Sequence, residues 1–228
     1  MTIERHVSKL RQLQAKIAKD SRVGTILLVD LVDSTRFKTT NPEDVWVSRL
    51  FLFRETVAAC LPKVPPKYLG DGILCFGEKS KVPPGKFIMS AEAILKAIDK
   101  ANADYNCRGD HALQVRIVIG FGSVHLFDKT DPQGEAVDKV FRCEKYVPSS
   151  CIGITEDVEN LGLNLNTSLI GGFQLKGLGE KRHKLFLLNT GKPSNNKTLA
   201  QLRKSEAGAA TEAFQQGIPT STGTGRDS

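Results

Sequence analysis

Residues 67–76 read KYLGDGILCF, two apolar segments joined by Gly70-Asp71-Gly72. An Asp-Gly pair between two strand-like segments is a strong β-hairpin signal, because glycine readily adopts the backbone angles of a tight turn. Both arms carry the apolar residues of buried strands. The stretch therefore predicts a hairpin with a carboxylate, Asp71, at its tip. The turn alone could explain this residue, and the sequence raises the question of whether Asp71 has a second function.

Helices and strands alternate on either side of this hairpin. The run TILLVD, residues 25–30, is apolar up to Asp30 and is typical of a strand buried on both faces. Periodic apolar residues predict helices at about 3–20, 42–61, 86–106 and 134–147. Together with strands near 113–127 and short strands between 152 and 188, this order predicts an α+β fold with a ferredoxin-like βαββαβ core and extra short C-terminal strands.

The chain divides into three predicted parts: an amphipathic helix at 1–22, a folded domain at 23–190 and a flexible tail at 191–228. No apolar run approaches the roughly 20 residues that a helix needs to cross a bilayer. The first residues, MTIERHVSKLRQLQAK, are too polar for a secretory signal. We therefore expect a cytoplasmic protein with no membrane partner.

The composition favours an anionic ligand. The formal net charge is +7, which suits nucleic acid, an anionic surface or a nucleoside triphosphate. Aromatic residues make up only 7% of the chain and no five basic residues are consecutive, so no nucleic-acid partner is expected. The five cysteines lack metal-binding spacing and are predicted to be buried free thiols.

Two carboxylates are predicted to meet at one edge of the sheet. If the strand ending at Asp30 lies beside the hairpin, Asp30 approaches Asp71. Adjacent carboxylates repel each other, and divalent cations with oxygen ligands are the usual solution. Two such ions, about 4 Å apart, can activate an attacking oxygen and hold phosphate oxygens. The alternative from the residues alone is that Asp30 and Asp33 cap a turn together with Ser34 and Thr35, and this is the favoured interpretation for Asp33.

Five segments resemble, in order, the signatures of the class III nucleotidyl cyclases, the catalytic domains of adenylate and guanylate cyclases. They are TILLVDLVDSTRF (25–37), KYLGDGILCF (67–76), VRIVIGFGSV (115–124), GEAVDKVFRCE (134–144) and LKGLGEKRHKLFLL (175–188). Each signature alone is weak, whereas the ordered set is specific. The resemblance implies the cyclase fold, conversion of a nucleoside triphosphate to a 3′,5′-cyclic nucleotide, and two Mg²⁺ or Mn²⁺ ions.

The resemblance also implies roles for individual residues. The metal ligands are Asp30, Asp71 and the backbone carbonyl of Leu31. The phosphate contacts are Ser34, Thr35 and Lys176, and the base contacts are Lys67 and Asp131. The catalytic residues are Arg142, which would stabilise charge on the α-phosphate, and Asp138, near the ribose, where the family usually carries Asn.

In this family, one subunit supplies the metal ligands of a site, while the other supplies the base-reading residues and the arginine. This chain carries both sets, so the resemblance implies a head-to-tail homodimer with two shared sites. A diguanylate or polymerase-palm enzyme is a rival, but it would show a Gly-Gly-acid-acid-Phe hairpin instead of GDG. An inactive cyclase-like domain is a minor alternative, because Asp138 departs from the family.

The base is less sharply indicated. Lys67 and Asp131 look like the adenine-reading pair, whereas Asp138 and the bulky Lys139, Phe141 and Lys145 would shrink the pocket towards a pyrimidine. Stand-alone cyclases of this size resemble the pyrimidine cyclases of bacterial Pycsar antiphage systems, whose product is read by a separate effector protein. We therefore expect cyclic UMP, less so cyclic CMP, with cyclic AMP as the alternative.

Overall fold

The strands form one mixed sheet. In the computed structural model, which describes residues 3–127 and 130–190, the strands are β1 (Ser21–Leu31), β2 (Lys67–Leu69), β3 (Gly72–Glu78), β4 (Val115–Leu126), β5 (Pro132–Gln133), β6 (Cys151–Thr155), β7 (Thr167–Gln174) and β8 (Arg182–Leu188). Their order is β2-β3-β1-β4-β6-β8-β7, with β5 paired to the end of β4. The predicted flexible tail, 191–228, lies outside the described residues.

Helices cover both faces of this sheet. The helices of the described residues are α1 (Ile3–Lys19), α2 (Ser34–Thr40), α3 (Glu43–Ala58), α4 (Pro84–Asp104), α5 (Glu135–Glu144) and α6 (Glu156–Glu159), of which α4, α5 and α6 pack directly on the strands. The short helices α2 and α6 were not predicted. In the described ranges, no helix combines the length and apolar character needed to cross a membrane.

The predicted fold class is confirmed. Strand β1 pairs antiparallel with both β3 and β4, and the tight hairpin β2-β3 places β3 between β1 and β2. This is the split βαβ arrangement of a ferredoxin-like core. Strand β6 continues the sheet parallel to β4, and the β7-β8 hairpin closes it as the extra C-terminal strands.

Alternation along β1 determines which side chains reach each face of the sheet. Leu27, Val29 and Leu31 belong to the main buried core, with α3 and α4 packed over them. The intervening side chains, from Ile26 to Asp30, therefore lie on the opposite face, where α5 packs. The end of β1 thus directs a carboxylate into the face that α5 covers.

Two glycines of β4 allow α5 to approach the sheet closely. A Cβ atom at Gly120 would lie 2.3 Å from Cγ2 of Val140, and one at Gly122 would lie 2.7 Å from Cβ of Ala136. Real Cβ atoms do not come so near another heavy atom, so α5 fits only against a bare backbone. The Gly-x-Gly of the sequence signature is therefore explained by packing.

We expect Gly120→Ala to lower the free energy of unfolding by about 2 kcal/mol, because it overpacks the contact with Val140. Chemical denaturation followed by circular dichroism measures this difference. Gly85→Ala is the matched control: a Cβ there meets nothing within 4 Å and lies in the first turn of α4, so stability should stay equal or rise slightly. Equal stability of the two variants would contradict the packing role of Gly120.

Candidate active site

The end of β1 and the tip of the β2-β3 hairpin bring Asp30 and Asp71 to the same edge of the sheet. Asp30 lies opposite Gly72 in the β1-β3 register, and the Leu31 amide donates to the carbonyl oxygen of Asp71 at 3.1 Å. Gly70, with a φ of 69°, provides the left-handed residue that the turn requires. On α3, Arg54 donates to the Gly70 carbonyl at 2.7 Å, which holds the turn against the domain.

Asp30 is electrostatically out of balance. Burial, together with the negative charges of Glu144 and Asp71, raises its pKa from 3.8 to about 7, although the positive charge of Arg116 opposes this rise. A carboxylate in this position needs additional positive charge to be ionised at neutral pH. The surroundings of Asp30 therefore favour a bound cation.

A divalent cation fits the donors present at this edge. Asp30 and Asp71 offer carboxylate oxygens and Leu31 a backbone carbonyl, the hard ligands that Mg²⁺ and Mn²⁺ prefer. Over residues 3–127 and 130–190, no cluster of three or more His, Cys, Asp or Glu side chains suited to a metal is present. A metal here would therefore rely on two carboxylates, backbone oxygen and the ligand's own oxygens.

Ser34 and Thr35 lie in the first turn of α2. Ser34 is buried, and its hydroxyl donates to a carboxylate oxygen of Asp71, whereas Thr35 is exposed. Asp33 occupies the N-cap position in the left-handed region, with a φ of 55°, but its side chain makes no capping hydrogen bond. The structure therefore connects Ser34 directly to the carboxylate pair.

Lys67 and Asp131 form an ion pair. Their side chains are partly buried, 30% and 25% exposed, and Gln133 Nε2 donates to Oδ1 of Asp131 at 2.6 Å. Lys67 leaves β2 on the same face of the sheet as Asp30, since it pairs with Leu74, which pairs in turn with Leu28. The two predicted base contacts are thus brought together. The carboxylate of Asp131 accepts hydrogen bonds from both Lys67 and Gln133, which hold it in place.

Arg142 and Lys176 share a cavity of about 340 Å³. The residues that line it are Asp138, Phe141, Arg142, Glu144, Lys145, Leu175 and Lys176. Within the described residues, neither Asp30 nor Asp71 lines this cavity. The carboxylate pair therefore lies outside the lining of this cationic cavity, as a separate group of residues.

Lys139 does not belong to this cavity, although it was expected to narrow the pocket. Its ammonium pairs with Asp157 of α6 at 2.7 Å, and its side chain is only 14% exposed. Lys139 therefore stabilises the packing of α5 on α6. Of the three bulky residues expected at the pocket, Phe141 and Lys145 line the cavity.

Arg116 and Glu144 connect the carboxylate pair with the cationic cavity. Neither residue had a predicted role. Arg116 lies opposite Asp30 in the β1-β4 register, and its Nη1 donates to Oε1 of Glu144 at 2.9 Å. Glu144 is two residues beyond Arg142 on α5. The signal for this pair was the single charge of Arg116 within the apolar strand VRIVIGFG.

No protein-family model matches this sequence, and no curated protein matches it either. Solved structures do share its fold. The adenylyl cyclase CyaB from P. aeruginosa has a TM-score of 0.64 at 14% identity, over 74% of this chain and 94% of that one.

Two further structures with this fold are guanylate cyclase domains. The guanylate cyclase domain of RhGC from Catenaria anguillulae, in complex with GTP, has a TM-score of 0.61 at 17% identity, over 73% of this chain and 96% of that one. The non-canonical dimeric guanylyl cyclase domain of the RhoGC fusion protein from the aquatic fungus Blastocladiella emersonii has a TM-score of 0.59 at 16% identity, again over 73% of this chain and 96% of that one. At these identities, the likeness establishes a common fold.

Proposed function

We propose that this chain is a class III nucleotidyl cyclase, which converts a nucleoside triphosphate to a 3′,5′-cyclic nucleotide and pyrophosphate. The observation that carries the proposal is the meeting of Asp30 and Asp71 at one sheet edge. The fold that holds them is shared with adenylyl and guanylyl cyclases, one of them in complex with GTP. In the reaction, the 3′-oxygen forms a bond to the α-phosphorus and loses its proton. The bond between the α-phosphorus and the oxygen that bridges to the β-phosphate breaks, and pyrophosphate leaves.

The residues divide this work between them. Asp30, Asp71 and the Leu31 carbonyl would hold two Mg²⁺ or Mn²⁺ ions, which lower the pKa of the 3′-hydroxyl and neutralise phosphate charge. Ser34, kept in place by Asp71, and Thr35 would contact phosphate oxygens.

The cationic cavity would act on the same phosphates from the other side. Lys176 would bind the triphosphate, and the guanidinium of Arg142 would stabilise the charge that grows on the α-phosphate. Asp138 is exposed beside Arg142 and would contact the ribose through its carboxylate, which can only accept hydrogen bonds.

We place each complete site between two subunits of a head-to-tail homodimer. Asp30 and Asp71 of one subunit would face Lys67, Asp131 and Arg142 of its partner. The separation of the carboxylate pair from the cationic cavity supports this arrangement.

For the base, we propose a pyrimidine, with uracil ahead of cytosine. Lys67 donates and Asp131 accepts, and every nucleobase edge offers an acceptor next to a donor, so the pair alone does not select one base. The size of the base must therefore decide between a pyrimidine and a purine. Phe141 and Lys145 add bulk to the cavity wall, which favours the smaller pyrimidine. Adenine remains the alternative, because the same ion pair also matches its edge.

A nucleotide panel tests the function and the base together. Purified protein incubated separately with ATP, GTP, CTP and UTP plus Mn²⁺ should make cyclic UMP fastest, with products resolved by chromatography. Faster formation of cyclic AMP would replace the pyrimidine assignment with the adenylate alternative. Absence of any cyclic product from a dimeric preparation would favour an inactive, cyclase-like domain.

In the cell, we propose a cytoplasmic enzyme whose product is read by a separate effector protein in antiphage defence. The support is the resemblance to the Pycsar pyrimidine cyclases. This role predicts that cyclic UMP rises in producing bacteria on phage infection.

A further inference from the structure

Helix α1 presents an apolar stripe that the rest of the described chain leaves uncovered. Val7, Leu10, Leu13 and Ile17 are 41%, 55%, 46% and 45% exposed. Their spacings of three and four residues place them on one side of the helix. Isolated helices of this length are marginal in water, and most helices in proteins are stabilised by burying such a stripe. The stripe therefore requires an occupant.

The charges of α1 identify the chemistry of that occupant. The helix, IERHVSKLRQLQAKIAK, contains five Lys and Arg residues and one acidic residue. At about 100° per residue, all five basic positions fall outside the apolar stripe, and Lys9 and Arg11 lie nearest its two borders. Lys9 and Arg11 are exposed. A basic amphipathic helix of this kind suits an anionic surface.

Further apolar surface lies at the base of the helix. The His125 ring is 3.1 Å from the carbonyl oxygen of Ile17, which ties the end of α1 to β4. Phe127, two residues further along, is 77% exposed, and Val23 on the adjoining strand β1 is 48% exposed. The exposed aromatic ring therefore lies close in sequence to the attachment point of α1.

We propose that α1 lies in the headgroup region of an anionic lipid surface, with its apolar stripe towards the acyl chains and its basic side chains towards the phosphates. A second copy of α1 would bring the same positive charge and repel, whereas an anionic bilayer is complementary. Lying on a surface requires no spanning helix. The inference does not depend on the proposed cyclase activity, and it revises the expectation of no membrane partner.

Co-sedimentation of the full chain with lipid vesicles tests this inference. We expect binding to vesicles of phosphatidylcholine and phosphatidylglycerol in equal parts, and weak binding to phosphatidylcholine alone. The double variant Leu10→Ser, Leu13→Ser should lose binding. Lys9→Gln with Arg11→Gln should weaken it about tenfold, since each cation near an anionic surface contributes several-fold. Met89→Ser and Lys96→Gln, exposed on α4, are the matched controls and should bind like the unaltered chain.

The α1 side chains that are changed are exposed, so thermal unfolding of each variant should match that of the unaltered chain. The proposal is overturned if the unaltered chain fails to bind anionic vesicles, or if the Leu10, Leu13 variant binds them equally well. Light scattering without lipid adds a further test. A fall in oligomeric mass in that variant, with no lipid binding by the unaltered chain, would assign the stripe to a second copy.

Discussion

Replacing Asp30 with Asn is expected to lower cyclase turnover at least about a thousandfold and, in metal-free protein, to increase stability at neutral pH. The loss of activity follows because an amide oxygen binds divalent cations more weakly than a carboxylate. The gain in stability follows because burial and the charges of Glu144 and Asp71 oppose ionisation of Asp30 in the folded chain. The ionised Asp30 that the proposed cyclase site requires therefore destabilises the folded chain.

The pH dependence of the stability change has a definite sign. The folded pKa of Asp30, about 7, lies above its unfolded value of 3.8, so between these values the native chain holds a proton that the unfolded chain has lost. The stability of the unaltered chain should therefore fall as pH rises from about 4 to 7, and Asp30→Asn should remove this fall. Allowing for partial exposure to solvent, we expect a difference of about 2 kcal/mol above pH 7.

Denaturation of EDTA-treated protein across this pH range measures the effect, and Mn²⁺ should then stabilise the unaltered chain but not the variant. Asp44→Asn, an exposed carboxylate at the start of α3, is the matched control and should change neither activity nor pH dependence. An active Asp30→Asn enzyme would refute the metal assignment. An unchanged pH profile would instead refute the electrostatic account of Asp30.

The meeting of Asp30 and Asp71 could be predicted from the sequence because the turn and the buried strand are local signals, and the expected strand order places them side by side. The Asp-Gly turn sets the β2-β3 hairpin, and the apolar run before Asp30 requires a central strand. The Arg116–Glu144 pair depends instead on the β1-β4 register and on how α5 docks, neither of which is a local property. The charge of Arg116 in an apolar strand was visible, but its partner was not.

Two other features also differ from the prediction: helix α2 was not predicted, and Lys139 lies outside the cavity. Helix α2, STRFKTT, is rich in residues of low helix propensity, and it is held by burial of Phe37 and by the Arg49 guanidinium 4.4 Å from that ring. Its existence is therefore a tertiary effect. Lys139, by contrast, could have been excluded from the pocket by periodicity. Asp138, Arg142 and Lys145 recur at spacings of four and three, and Lys139 falls about 100° away.

Mixing two inactive variants is expected to restore about a quarter of the activity, if each site is shared between subunits. Asp71→Asn damages the carboxylate half-site and Arg142→Ala the cationic cavity, so each homodimer should be inactive. In a mixed dimer, one site carries both defects and the other carries neither. With random exchange, about half of the dimers are mixed, and each has one intact site of two.

The measurement is product formation after the two variants are co-expressed, or mixed under conditions that allow subunit exchange, with total protein held constant. Asp71→Asn mixed with Asp30→Asn is the matched control: both changes lie in the same half-site, so each site of their mixed dimer still lacks one carboxylate and should stay inactive. Recovery in the first mixture alone requires Asp71 and Arg142 of different subunits to act together. No recovery, despite mixed dimers shown by pull-down of two differently tagged chains, would mean that one chain supplies both half-sites of its own active site.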